Sequence, residues 1–195
     1  MTQPIAKVTS SCFYQLRRLR QIRRPVSQKL VAQLVHSFVL SRLDYRNSVL
    51  AGLPKSAIMP LQRVQNAAAR LILDLRMNDH VTPALRQLHW LPVDRRVDFK
   101  LCTMMHSIHT GQCPTYLADM VRAVAVTQTR SCLRSADTAQ YHKPRYCTEI
   151  GKRAFSYAGP LAWNALPPSL HSIMDSKHFR KHLKMHYFSR AFSVL

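Results

Sequence analysis

The chain is short of glycine and of acid. Only four glycines occur in 195 residues and no low-complexity tract breaks the text, which argues against a disordered protein. Nine Asp and Glu stand against 29 Lys and Arg, a formal net charge of +20. The acids are scattered singly, with no Asp-Asp pair. Neither Gly-x-Ser-x-Gly nor a glycine-rich phosphate loop is present, so no nucleophile elbow or P-loop chemistry is readable. No apolar run approaches the roughly 18 residues of a membrane span, and the N-terminus lacks a signal-peptide core. Cys12, Cys102, Cys113, Cys132 and Cys147 form no Cys-x-x-Cys pair and leave one over, a pattern suited to free thiols rather than a disulfide framework. The expected setting is intracellular, nucleus or cytoplasm, with no membrane partner.

What is present is a core and a charge. At 47% hydrophobic the chain can bury one domain, or a domain with an appendage. A net +20 repels itself unless a polyanion is near, so nucleic acid is the first partner to expect. The charge concentrates in residues 10 to 24. There Cys12, Phe13, Leu16 and Leu19 form an apolar stripe, and Arg17, Arg18, Arg20, Arg23 and Arg24 fill the rest with no acid among them. Guanidinium forks match phosphates, and several such contacts make binding steeply salt-dependent.

Periodicity predicts a mainly α protein, an irregular bundle of six to eight helices. Ser27 is an N-cap candidate for an apolar helix through Leu30, Val31, Leu34, Val35, Phe38 and Val39. Leu61, Val64, Ala68, Leu71, Ile72 and Leu75 share the core face of another helix, with Gln62, Arg63, Gln65, Asn66 and Arg70 largely opposite. Gly52 and Pro54 mark the corner between the two. Pro83 opens a short helix after Thr82, Trp90 reads as core, and Val93, Val97, Leu101, Met104, Met105 and Ile108 define a longer helix ending near Gly111. From 123 to 150 the period fades into a long loop or small hairpin, with Cys132–Ala136 and Tyr141–Tyr146 as pairing candidates. Ala154 to Trp163 suggests a helix bent or broken at Gly159-Pro160. The last helix, about Ser176 to Phe192, carries Phe179, Leu183, Tyr187 and Phe188 on one side. The expected organisation is a helical body over 1–122, a connector over 123–150 and a C-terminal helical unit over 151–195 packed on that body.

Ordered motifs carry a resemblance over nearly the whole chain. Ser41-Arg42-Leu43-Asp44-Tyr45 through Gly52-Leu53-Pro54, then Leu61-Gln62-Arg63-Val64-Gln65-Asn66-Ala67-Ala68-Ala69-Arg70-Leu71, Leu88-His89-Trp90-Leu91-Pro92-Val93, Pro114-Thr115-Tyr116-Leu117, Arg153-Ala154-Phe155-Ser156 and Trp163-Asn164-Ala165-Leu166-Pro167 follow one another. The series resembles the region after the catalytic core in reverse transcriptases of LINE-type (non-LTR) retrotransposons, jockey-like branch. Arg46 departs from the family, which often has cysteine there. The resemblance implies a thumb-like, post-catalytic segment of an RNA-directed DNA polymerase. Polymerisation needs clustered carboxylates holding two metal ions, which the family supplies from an aromatic-x-Asp-Asp turn and a third aspartate. The chain has no Asp-Asp pair and its nine acids are scattered singly, so no enzyme activity, catalytic residue or cofactor is expected.

The implied role is to grip the backbone of RNA, RNA–DNA hybrid or DNA duplex through Arg17, Arg18, Arg20, Arg23 and Arg24, with Arg63 and Arg70 secondary. The alternative is a structural remnant packing against the upstream polymerase domain, with Phe13, Leu16, Leu19, Leu34 and Phe38 as an exposed patch. His178, His182 and His186 stack at four-residue spacing on the last helix, where a polar face of weak bases is expected rather than a metal site. Asp44 is expected to pair an arginine or cap a turn.

Overall fold

The computed structural model describes residues 2–45, 47–124 and 139–192. The described residues are mainly α-helical, as the periodicity predicts. Helix α1 spans Thr2–Gln21, α2 Gln28–Val35, α3 Ser41–Asp44, α4 Lys55–Leu73, α5 Thr82–Gln87, α6 Val93–His109, α7 Thr115–Ala118, α8 Phe155–Asn164, α9 Pro168–His171 and α10 Ser176–Phe192. Helices α2 and α3 form one rod through a π-helical turn at His36–Leu40.

The chain divides into two compact units. One comprises Met1–Asn47, Leu53–Arg96 and Phe188–Leu195, the other Ser48–Gly52 and Val97–Tyr187. The borders fall inside α6 and α10. The first turn of α6 is tied to α4, where the Gln62 side-chain carbonyl accepts from the Val93 N–H at 2.9 Å. Further along α6, Val97 and Leu101 join a cluster with Ala51 and Ala158.

In the first unit α1 packs on α4, and the α2–α3 rod packs on both. Cys12, Leu16 and Leu19 of α1, Val31, Val35, Val39 and Leu43 of the rod, and Leu61, Val64, Ala68 and Ile72 of α4 are buried. Each set recurs every three or four residues, which is what one buried face of a 3.6-residue helix requires. Ser27 caps α2, its hydroxyl accepting from the Leu30 N–H at 3.4 Å. The rod is not enclosed along the whole of its apolar series: Leu30 and Phe38 remain 46% and 44% exposed.

Gln65 departs most from its sequence assignment. Placed on the polar side by periodicity, it is fully buried, and its amide donates to the Leu91 carbonyl at 2.7 Å. Ala69, Ala84 and Leu85 form a second cluster covered by Trp90 and Phe192. Asp44 pairs an arginine as expected, receiving Arg96 through both carboxylate oxygens at 2.9 and 2.8 Å.

In the second unit Trp163 on α8 is fully buried. Its indole N–H donates to the Ala139 carbonyl at 2.8 Å. His171 stacks on it at 4.7 Å between ring centroids, with His109 at 5.4 Å. His106 stacks on Phe179 at 4.0 Å. Phe179, Leu183 and Tyr187 of α10 are buried in the register their spacing predicts. Helix α8 runs through Gly159-Pro160 without interruption. Pairing around the 123–150 stretch is confined, among the described residues, to one antiparallel bridge between Ala123 and Tyr141. There Val124 N–H donates to Gln140 at 3.0 Å and His142 N–H to Arg122 at 2.7 Å. The candidate strand Cys132–Ala136 lies outside the described residues. No described helix is long and apolar enough to cross a membrane.

Candidate nucleic-acid interface

The first unit holds most of the charge: 17 of the 29 Lys and Arg and four of the nine acids, a net +13. Residues 1 to 43 contain no Asp or Glu at all. Because Cys12, Leu16 and Leu19 turn α1 inward onto the core, its arginines are forced to the outer flanks. Arg17, Arg18, Arg20 and Arg24 are exposed, whereas Arg23 is half-buried.

Arg23 is fixed within the fold. Its Nε donates to the Leu71 carbonyl at 3.0 Å and its Nη2 to the Ile72 carbonyl at 3.3 Å. These are last-turn carbonyls of α4, which have no helical N–H of their own, and a cation there also meets the negative end of the helix dipole. Arg23 is thus a cap on α4 first, and a phosphate contact only with whatever donor capacity is left. Helix α4 ends immediately beyond, where Asp74 takes a left-handed conformation at φ 55°.

Between α1 and α4 lies a groove of about 280 Å³ whose lining includes Arg17, Arg20, Arg23 and Arg70, with Phe13, Leu16, Leu71, Leu75 and Met77 as its apolar walls. Four of the seven arginines singled out by sequence therefore converge. The other three do not. Arg18 turns to Tyr14, donating to its hydroxyl at 3.1 Å with the guanidinium 5.9 Å from the ring centroid. Arg24 and Arg63 are exposed outside the groove lining, Arg63 two turns before Arg70 on α4. Arg70 donates through Nη2 to the Asp79 carbonyl at 3.2 Å, and its buried Nε has no acceptor among the described residues.

None of the four groove arginines has a carboxylate partner among the described residues. Two of the unit's acids are already engaged: Asp44 on Arg96, and Asp94 on Arg95 at 3.7 Å. Asp79 caps its own turn, accepting from the Arg76 N–H at 2.7 Å. Asp74 alone lines the groove. Sequence reasoning passed over Asp74 and Phe13 as site residues. The only signal for Asp74 was its place at the end of the α4 apolar pattern.

In the second unit the histidine ladder of α10 is local. His178 and His182 meet through their Nε2 atoms at 3.0 Å, a contact that needs at least one ring neutral. Among the described residues no group of three or more His, Cys, Asp or Glu is placed to hold a metal ion. A second basic groove is lined in part by His142, Lys143, Arg145 and Asn164.

No family model, curated protein or solved structure matches this chain. The reading of the site rests on its own geometry and charge.

Proposed function

We propose that this protein is a noncatalytic nucleic-acid-binding segment, similar to the post-catalytic region of a LINE-type reverse transcriptase, that holds template–primer backbone through basic helices. The observation that carries the reading is the acid-free stretch over residues 1 to 43, whose Arg17, Arg18, Arg20 and Arg24 are exposed on a unit with net charge +13. Solvated helices ordinarily mix signs. A surface of one sign concentrates a polyanion and gains by releasing its counterions. Phosphate contacts of this kind position a strand without reading its sequence, and A-form RNA or hybrid is recognised by shape.

Binding of a labelled duplex as a function of salt tests the proposal. Four phosphate contacts give a log–log slope of about −3.6, or roughly a hundredfold loss of affinity between 50 and 200 mM salt. Replacing Arg17, Arg18, Arg20 and Arg24 together by glutamine flattens that slope. An unchanged slope removes them from the interface, and no duplex association even in dilute buffer overturns the role.

The competing role, a protein-interaction remnant that packs against an upstream polymerase domain, has less support. It needs Phe13, Leu16, Leu19, Leu34 and Phe38 open to a partner, whereas Leu16 and Leu19 are buried and Phe13 and Leu34 half-buried within the chain's own packing.

A further inference from the structure

We infer that the groove between α1 and α4 seats a single unstacked nucleotide, a refinement that rests on the nucleic-acid role proposed above. A surface that only tracks a duplex backbone needs charge on a flat or convex face. Here the exposed guanidiniums of Arg17 and Arg20 stand beside a concavity walled by Phe13 and Leu75. Phosphates and sugars bury little against such walls, but the flat face of a base does, and base–aromatic stacking tolerates any sequence. A volume of about 280 Å³ lies at the small end of ligand sites. It admits one nucleotide rather than a run of them.

The second observation is Asp74. A groove built for phosphate alone gains nothing from a carboxylate, which repels the anion. Asp74 is nonetheless held in the lining by the chain reversal that ends α4, where the Leu75 N–H donates to the Arg70 carbonyl at 3.0 Å. An ionised carboxylate only accepts hydrogen bonds. A phosphodiester has no donor to offer it, whereas the amino or imino edge of a base and the ribose hydroxyls do. The arrangement thus divides by chemistry: guanidiniums for the phosphate, an apolar wall for the base, and a carboxylate for an N–H or O–H. Arg70, in the same lining, adds positive charge beside the seat.

The test compares a labelled 12-nucleotide single strand with a hairpin duplex at matched salt, using the full chain. The single strand is expected to bind roughly tenfold tighter, the scale of one stacked base. Phe13→Leu keeps an apolar side chain but removes the ring, and weakens single-strand binding several-fold while leaving duplex binding unchanged. Asp74→Gly removes the carboxylate without strain, since glycine accepts the left-handed backbone at that position. It is expected to weaken single-strand binding and to leave duplex binding unchanged or tighter. If Asp74→Gly tightens both alike, the carboxylate merely repels and the seat does not exist. Should Phe13→Leu unfold the chain, Asp74→Gly carries the test alone. Salt-dependent duplex binding with no single-strand preference overturns the seat and spares the backbone-holding role. Absence of all binding overturns both.

Discussion

Arg23 and Arg17 lie six residues apart, carry the same charge and line the same groove, yet the structure assigns them opposite consequences on substitution. Arg23→Gln removes two hydrogen bonds from a cation to the Leu71 and Ile72 carbonyls. Hydrogen bonds to charged groups contribute about 1.5–3 kcal/mol each when well shielded. Half-burial here reduces that, and the helix-end charge effect adds about 0.3–1 kcal/mol. A loss near 2 kcal/mol follows, which for a chain of this size lowers Tm by roughly 4–8 °C. Arg17→Gln touches no such acceptor and stays within about 0.5 kcal/mol of the parent. In the duplex-binding assay the order reverses. Arg17→Gln reduces the salt slope by about 0.9, and Arg23→Gln leaves it nearly unchanged. Thermal denaturation followed by circular dichroism, with salt titrations on the same samples, reads both effects. Equal Tm values for the two variants would refute the capping role, and a larger slope change in Arg23→Gln would refute the division of labour.

Three further outcomes are expected. Burial, and then the nearby charges of His106 and His171, hold the His109 imidazole below its ordinary 6.5, so the folded chain takes up its proton later than the unfolded chain. That contribution to stability is whole above about pH 6.5 and declines as pH falls from there to the folded value. Urea titrations between pH 8 and 5 should show the decline, and His109→Gln should lessen it. Gln65→Leu removes a buried amide that donates to the Leu91 carbonyl and accepts from Gln62 at 3.0 Å, while Gln62 keeps Asn66 at 2.9 Å and the Leu91 carbonyl keeps Arg96 at 2.9 Å; a cost of about 1 kcal/mol is expected in denaturant unfolding, and a neutral result would show the network to be dispensable. Burial, against the hydrogen bond from Tyr187 and with the Asp98 charge, pushes the Cys102 thiol up to about 12. Alkylation of the native chain at pH 8 should therefore label exposed Cys147 and spare Cys102 until the protein unfolds.

Much of the helical framework was legible because it repeats. The α4 face through Leu61, Val64, Ala68 and Ile72, and the α10 face through Phe179, Leu183 and Tyr187, follow directly from three- and four-residue spacing. Gly52 takes the left-handed conformation at φ 68° that its corner requires. What periodicity could not supply is tertiary partnership. Gln65 reads as polar surface until the Leu91 carbonyl arrives from 26 residues away. Arg23 reads as one of five equivalent arginines until the end of α4, 48 residues on, claims it. His106 and His171 look like surface histidines in a chain with ten of them, yet both are buried on backbone carbonyls, at 2.7 Å to Ile173 and 3.0 Å to Trp163. The groove was half legible, since the arginines were evident while Asp74 and the wall of Phe13 appear only when α1 meets α4.

The path of the chain also bears on synthesis at the ribosome. The cluster of Ala69, Ala84 and Leu85 is covered in part by Phe192, and His89 meets the ring of Phe188 at 5.7 Å. The earliest-translated unit must wait for its final turn of helix, while the later one, nearly continuous from Val97 to Tyr187, has its residues in hand sooner. A stop codon shortly after position 187 would thus injure the older half of the polypeptide and leave the younger half its full complement.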